Sequence, residues 1–247
     1  MRLLVALLLL CTITCTAKRN NQKVLIFTEN GKGFVHKNIA AATKALTDIC
    51  EKDGFKVEVS DDSGYLTENI DKYDLLIFNN TNNEVFDNDQ QRDIFKHYIQ
   101  NGGGFVGVHI ACGTERNWPW FNAMIGGRFV RHPKRQKFDI HMIDQNHQST
   151  KHLPKIWQWE DECYFMDNLN PDINVLFAAD LTTVTDDKMK DFPGNIFGTY
   201  FPLAWYHKYD GGVQWYTALG HTNEHYDDPL FREHLRQGIL WVAKEVK

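Results

Sequence analysis

The chain has 247 residues, of which 43% are hydrophobic, 13% aromatic and 24% charged. This composition is typical of a globular protein and excludes the disordered, collagen-like and disulfide-stapled classes. A chain of this length can bury a core large enough to need neither a structural metal nor disulfides for stability. The formal charge of −5 argues against nucleic acid as a partner, because nucleic-acid-binding proteins gather an excess of basic residues on one face.

Residues 1–17 have the pattern of a secretory signal peptide. Arg2 provides the positive start, residues 3–10 form an unbroken apolar run, and Ala17 ends a short segment of small residues. The apolar run is shorter than the roughly 20 residues that a membrane-spanning helix needs. We therefore expect a signal peptide at residues 1–17 and a secreted or periplasmic mature protein with no membrane span. A lipoprotein anchored through Cys15 is the alternative.

The first half of the chain alternates between strand and helix patterns. Short apolar runs predict buried strands at residues 23–28, 55–59, 73–79 and 105–110. Apolar residues at helical spacing predict helices at residues 38–52 and 88–100, the second of which ends at the glycines of residues 102–104. Strands that alternate with helices in this way indicate an α/β fold with a doubly wound, mostly parallel sheet of the flavodoxin-like type.

After residue 118 the pattern changes to that of added antiparallel strands. Strand-like runs lie at residues 138–143, 174–178, 196–209 and 213–219. Asp210, Gly211 and Gly212 predict a hairpin turn between the last two runs. Residues 229–244 carry apolar side chains close to helical spacing and predict a closing helix. Because no linker or composition break follows residue 20, we expect one domain at residues 23–245.

Three histidines lie at or beyond the carboxyl ends of predicted strands, where the loops of an open parallel sheet converge. His36 lies in the loop after the first strand, His109 ends the fourth strand, and His221 follows the last strand. If these strands are neighbours, the three imidazoles meet, and three nitrogen ligands with an open position make a catalytic site for a divalent metal such as zinc. The alternative is that each histidine is a hydrogen-bonded structural residue or a general base.

Aromatic and basic residues supply candidates for contact with a ligand. Trp118, Trp120 and Trp205 lie in loop-like or strand-end segments, and aromatic faces suit the C–H surfaces of sugars. Each tryptophan could equally be a core or wall residue. His132 lies among five positive charges within residues 128–137, which predict either a local anion site or a solvated surface.

Seven short motifs, in order along the chain, resemble the ThuA-like (trehalose-utilisation) family over residues 23–244. The motifs are GFVH at 33–36, GFVGVH at 104–109, WPW at 118–120, HP at 132–133, DECY at 161–164, PLAW at 202–205 and YTALGHT at 216–222. That family has the fold of class I glutamine amidotransferases, and His109 occupies the place of their nucleophilic cysteine. The resemblance therefore implies a class I glutamine amidotransferase-like fold without amidotransferase activity.

The resemblance also implies a role in disaccharide metabolism, on sugars or their 3-keto derivatives. We expect an exported hydrolase or lyase that binds a small sugar ligand, with three catalytic groups: His109, His221 and Glu162. His36, His109 and His221 are the expected metal ligands, and the expected substrate-binding residues are Trp118, Trp120, Trp205 and His132. A non-catalytic sugar-binding module and a protein-binding scaffold on the same fold are the alternatives. The sugar, the bond that is broken and the oligomeric state do not follow from the sequence.

Cys112 is the rival nucleophile, because it lies only three residues beyond His109. Its position does not match the strand-to-helix turn that carries the nucleophile in amidotransferases. We expect Cys112, together with Cys50 and Cys163, to be a buried and unreactive thiol.

Overall fold

A computed structural model describes residues 22–189 and 198–246, so the predicted signal peptide lies outside the described residues. Over these ranges the chain forms a nine-stranded sheet, a two-stranded ribbon and helices that cover the sheet. None of the helices in the described ranges combines the length and the apolar character that crossing a membrane requires.

The elements follow in chain order. The strands are β1 (Lys23–Phe27), β2 (Lys56–Ser60), β3 (Leu75–Asn79), β4 (Gly104–Val108), β5 (Arg128–Arg131), β6 (Gln136–Met142), β7 (Ile156–Asp161), β8 (Phe165–Asp167), β9 (Asn174–Asp180), β10 (Tyr200–Tyr209) and β11 (Gly212–Thr217). The α-helices are α1 (Ile39–Lys52), α2 (Ser63–Asn69), α3 (Asp89–Gln100), α4 (Pro119–Ile125) and α5 (Pro229–Glu245). Short 3-10 helices lie at Ile70–Lys72, His109–Gly113, Leu181–Thr183 and Glu224–Asp227.

The large sheet has a parallel and an antiparallel half. Its strand order is β2-β1-β3-β4-β11-β10-β9-β6-β7, and β5 pairs with β8 in the separate ribbon. The five strands from β2 to β11 are parallel to one another, whereas β10, β9, β6 and β7 each run antiparallel to the strand before them in this order. The predicted fold class is confirmed. One detail differs, because β11 comes from the second half of the chain and completes the parallel half beside β4.

Helices cover both faces of the sheet, as the neighbouring residues of β4 show. Gly104 faces Val242 of α5. The next residue, Phe105, packs ring to ring against Phe95 of α3 and Phe121 of α4. Successive side chains of a strand point to opposite faces, so α5 lies on one face and α3 and α4 lie on the other. Strands buried on both faces explain the continuous apolar runs in the sequence.

The predicted elements that lie wholly within the described residues are present, with ends that differ by one or two residues. The predicted strand at 196–209 starts outside the described residues, and β10 begins at Tyr200. The sequence patterns did not predict α2, α4, the β5–β8 ribbon or β7. The feature that indicates β7 is an alternation of buried and exposed side chains. Trp157, Trp159 and Asp161 are buried, and the residues between them are exposed.

The close approach of α5 to the sheet yields a test of the packing. A Cβ added at Gly238 would lie 2.6 Å from Cδ2 of the fully buried Trp215 ring. Glycine to alanine in a helix normally stabilises by about 1 kcal/mol. We expect Gly238→Ala to lower the free energy of unfolding in urea by about 1 to 3 kcal/mol instead, because the buried indole ring of Trp215 cannot move aside for the added methyl group. The neighbouring, partly exposed Gln237→Ala should change it by no more than about 0.5 kcal/mol. A stabilised Gly238→Ala protein would contradict this packing.

Candidate metal centre

Three loops meet at the carboxyl edge of the parallel half of the sheet. β1, β3, β4 and β11 are consecutive strands there. His36 lies in the loop after β1, His109 directly follows β4, and His221 lies just beyond β11. The strand order therefore brings the three histidines to one point, as ligand-binding loops converge in other open α/β sheets.

His109 has a backbone conformation that is rare for residues other than glycine. It lies at the turn between β4 and the 3-10 helix His109–Gly113, with a φ of 55°. Its buried ring donates a hydrogen bond from Nδ1 to the carbonyl oxygen of Ala218, 2.8 Å away. In a neutral imidazole this bond leaves the lone pair on Nε2, which faces the other histidines. Strained backbone of this kind costs about 1 to 3 kcal/mol and is concentrated at functional sites.

Four side chains form what we call the histidine–glutamate cluster: His36, His109, Glu162 and His221. Each offers one possible ligand atom, and these four atoms lie within 4.8 Å of one another. The Oε2 atom of Glu162 is 3.1 Å from Nδ1 of His221 and 3.9 Å from Nε2 of His109. The ring centre of His36 is 4.8 Å from that of His109 and 5.4 Å from that of His221. Three imidazoles and one carboxylate are a donor set that suits zinc.

Burial and neighbouring charges divide the cluster into neutral and charged groups. Burial, together with a smaller effect of the nearby His221, lowers the pKa of His36 to about 4. Burial also lowers the pKa of His109 well below its ordinary value. Both imidazoles are therefore neutral at pH 7, which is the form that binds a metal or accepts a proton.

Glu162 and His221 stabilise each other's charge. The hydrogen bond with Glu162 raises the pKa of His221. Burial alone would raise the pKa of Glu162, but the hydrogen bond with His221 and the charges of His132 and His221 outweigh burial and lower it. The pair can thus hold and transfer a proton at the edge of the cluster.

The two residues on either side of the Glu162–Cys163 dipeptide support the cluster. The hydroxyl of Tyr164 donates a hydrogen bond to Nε2 of His109, 2.7 Å away. The buried carboxylate of Asp161 accepts hydrogen bonds from the backbone N–H of Gly220 at 2.9 Å and from that of Glu162 at 2.8 Å. Asp161 therefore ties the end of β7 to the residue before His221. The sequence offered Asp161 as a candidate acid or base beside Tyr164, but it did not predict a supporting role for either residue, and the available signal was their place in the DECY motif.

A cavity of about 340 Å³ opens beside the cluster, with His36 and Glu162 in its wall. Its wall includes Phe34, His36, Arg116, Phe129, His132 and Tyr164. The predicted substrate-binding residue His132 lies in this wall, with Nδ1 3.5 Å from Oε1 of Glu162. The size falls in the range of small-molecule sites, which start at about 300 Å³.

The structure does not bring the three predicted tryptophans to this cavity. Trp205 is fully buried and donates a hydrogen bond to the carbonyl oxygen of Ile125, so the geometry does not support its predicted contact with a sugar. Trp118 and Trp120 pack against each other with ring centres 4.9 Å apart, and Trp118 lines a separate cavity. The aromatic surface of the cavity comes instead from Phe34, Phe129 and Tyr164.

The basic segment at residues 128–137 is largely neutralised. Three of its charges are in ion pairs, Arg128 with Asp167, Arg131 with Asp186 and Arg135 with Glu160. Of the two alternatives that the sequence left open here, the ion pairs favour a surface of paired charges over an anion site.

Cys112 lies on the 3-10 helix after His109 and is buried, as are Cys50 and Cys163, and all three are free thiols. The hydroxyl of Tyr216 is 2.9 Å from its sulfur. Burial raises the pKa of Cys112 to about 12, so the thiolate that a nucleophile requires does not form near neutral pH.

We expect Cys112→Ser to lower the free energy of unfolding by roughly 1 kcal/mol and to leave ligand binding unchanged, because the thiol packs and does not react. Native protein should resist labelling by iodoacetamide until it is denatured. Thermal unfolding and mass spectrometry of the labelled protein measure both effects. Loss of turnover at an unchanged Tm would identify Cys112 as a nucleophile.

The comparison with solved structures gives two close matches in fold. A ThuA-like protein from Bacteroides uniformis is 26% identical with a TM-score of 0.71, over 92% of this chain and 93% of that chain. A ThuA-like protein from Parabacteroides merdae is 24% identical with a TM-score of 0.69, over 92% of this chain and 91% of that chain. A β-galactosidase from Rahnella sp. R3 is 16% identical with a TM-score of 0.55, over 92% of this chain but 32% of that chain, and shows only a related fold.

No curated protein matches the chain. The model of the ThuA family, described as trehalose utilisation, matches residues 23–242. This match contains the whole histidine–glutamate cluster and all seven motifs. The chain therefore belongs to the ThuA family.

Proposed function

We propose that the protein is an exported hydrolase or lyase that acts on a disaccharide or a 3-keto-sugar, with a divalent metal such as zinc at the histidine–glutamate cluster. The observation that carries this proposal is the convergence of three imidazole nitrogens and one oxygen of Glu162 within 4.8 Å of one another, beside a cavity whose wall includes His36 and Glu162. The description of the family as trehalose utilisation supports a disaccharide as the substrate class.

The residues of the cluster fit a metal in their chemistry. His36 has a buried Nδ1 atom without a hydrogen-bond partner among the described residues. The Nδ1 atom of His109 donates to a backbone carbonyl, which is how proteins orient a metal-binding imidazole. The Tyr164 hydroxyl donates a hydrogen bond to Nε2 of His109. This hydrogen bond would have to break before the lone pair of Nε2 could bind a metal. A bound divalent metal would polarise a carbonyl or hydroxyl oxygen of the substrate as a Lewis acid.

Glu162 is the group that moves protons in this proposal. Its pKa is lowered by His221 and His132 against the effect of burial, so it is ionised at neutral pH and can act as a base. A ketone at C3 of a sugar acidifies the hydrogen on C2. Glu162 removes that proton, and the electron pair of the C2–H bond forms a double bond between C1 and C2 as the bond from C1 to the glycosidic oxygen breaks. Glu162 then returns the proton to the leaving oxygen, so the products are the free sugar and an unsaturated 3-keto-sugar. His132, 3.5 Å from the second oxygen of Glu162, orients the carboxylate toward the cavity.

Metal content tests the cluster directly. We expect purified protein, loaded with zinc and then dialysed, to retain about one ion per chain, and His109→Ala to retain far less, because it removes a ligand from the centre of the cluster. Elemental analysis gives the metal content and circular dichroism checks the fold. His97→Ala removes an exposed histidine of α3 and should bind zinc like the unaltered chain.

Turnover tests the reaction separately. Release of glucose from 3-keto-trehalose should fall at least about 100-fold in Glu162→Gln, since an amide cannot accept the proton. Normal turnover in Glu162→Gln or in His109→Ala would contradict the proposed roles. Saturable sugar binding by the unaltered chain without turnover would instead identify a non-catalytic binding module.

Export is proposed on the pattern of residues 1–17, which lie outside the described residues. We expect the protein secreted by an expression host to begin at Lys18, because signal peptidase reads a basic start, an apolar run and small residues in that order. Edman sequencing of the secreted protein gives its first residues. A chain that keeps Met1, or one that begins with a lipid-modified Cys15, would contradict cleavage after Ala17.

A further inference from the structure

A second cavity adjoins the one beside the histidine–glutamate cluster. It has a volume of about 490 Å³, and its wall includes Lys32, Asn83, Glu84, Arg116, Arg128 and Phe129. Arg116 and Phe129 also line the first cavity. The two cavities therefore share a wall, and we call the second one the cationic chamber.

Arg116 is held rigidly in that shared wall. Its Nε donates to the carbonyl oxygen of Gly113 at 3.0 Å, and its Nη2 donates to Oδ1 of Asn82 at 2.8 Å. The guanidinium carbon lies 5.3 Å from the centre of the Phe129 ring, on which it stacks. These contacts use two of the five N–H donors of the guanidinium, and the remaining three have no partner among the described residues.

The charge of Arg116 is not neutralised by the protein. Among residues 22–189 and 198–246, no ion pair joins Arg116 or the exposed Lys32 to a carboxylate. Of the other charged groups in the chamber wall, Arg128 bonds to Asp167 through two nitrogens, and Glu84 lies 3.8 Å from Arg92, which also pairs with Asp89 and Glu115. Lys32 and Arg116 therefore outnumber Glu84, the one carboxylate among the lining residues. The chamber thus keeps a positive charge in a protein whose net charge is −5.

From this arrangement we infer that the cationic chamber binds an oxyanion, a carboxylate, sulfate or phosphate group, on the part of the substrate remote from the reacting carbon. A guanidinium presents parallel N–H donors that match two oxygens of one oxyanion, whereas a hydroxyl offers one oxygen. Because Arg116 lies in the wall that both cavities share, one ligand can reach the cluster and Arg116 together. Arg116 is then the residue that selects an acidic sugar over a neutral one.

The inference rests on the proposed function in that the substrate is a sugar, but the oxyanion site itself needs neither a metal nor turnover. The binding test therefore uses chelator-treated mature protein, so that a carboxylate cannot be held by a metal. Calorimetric titrations with D-glucose, D-glucuronate, glucose 6-sulfate and glucose 6-phosphate compare one neutral probe with three oxyanions. The strongest of the three identifies the kind of oxyanion.

We expect at least one anionic probe to bind tenfold or more tightly than glucose, with a preference that weakens as salt is added. Arg116→Met should reduce this preference to twofold or less. Arg116→Lys keeps the positive charge but removes the parallel N–H donors of the guanidinium, and it should reduce the preference for the anionic probe at least threefold. Lys151→Met removes an exposed positive charge outside both cavities and should keep it unchanged.

Equal affinity for glucose and all three anionic probes would overturn the oxyanion site. A preference that survives in both Arg116 variants would overturn the role of Arg116. Neither outcome bears on zinc retention or on the turnover of 3-keto-trehalose, which are measured independently and decide the proposed function.

Discussion

β4 is the element on which the candidate site depends, because it runs through the centre of the parallel half and every one of its residues is buried. It packs closely against β11 and α5 because its glycines are small. A Cβ at Gly107 would lie 2.9 Å from the Tyr216 ring, and one at Gly104 would lie 2.8 Å from Val242 of α5. A central strand packed this tightly has one register, and that register places His109 at the carboxyl edge of the sheet. The strained turn at His109 is supported by this packing and by its bond to Ala218.

The carboxylate of the cluster comes from the opposite end of the sheet. β7 is four strands away from β11, which in a flat sheet would separate them by roughly 19 Å. The segments beyond β7 and β11 nevertheless meet, with Glu162 and His221 3.1 Å apart, so the sheet is not flat. The pairing of β10 with β9 shifts in register near Ala204, and β-bulges of this kind increase twist. The buried Asp161 fastens the end of β7 to Gly220 and so holds Glu162 next to His221. The carboxylate of Glu162 is thus positioned by a long-range hydrogen bond of its neighbour Asp161 rather than by its own strand neighbours.

The two cavities differ in how the protein treats their charges. Around the histidine–glutamate cluster, burial keeps His36 and His109 neutral and Glu162 pairs with His221. In the cationic chamber, the guanidinium of Arg116 is oriented by a backbone carbonyl and an asparagine, neither of which carries a charge. Oriented but uncompensated charge is what a ligand of opposite charge requires. The shared wall allows one molecule to use both environments.

The local pattern of apolar residues was enough to predict most of the helices and strands. Buried parallel strands leave continuous apolar runs in the sequence, and helices with one buried face leave apolar residues at helical spacing. The pattern also placed His36, His109 and His221 at or beyond the carboxyl ends of strands, since each histidine ends or follows a continuous apolar run. Only the tertiary structure decided that these strands are neighbours, that Glu162 joins the histidines and that Trp205 is enclosed in the core. Contacts between residues far apart in the chain, such as Asp161 with Gly220 and Arg116 with Asn82, leave no local periodicity. They arise from the order and twist of the strands, which depend on packing over the whole sheet and on no single segment of the sequence.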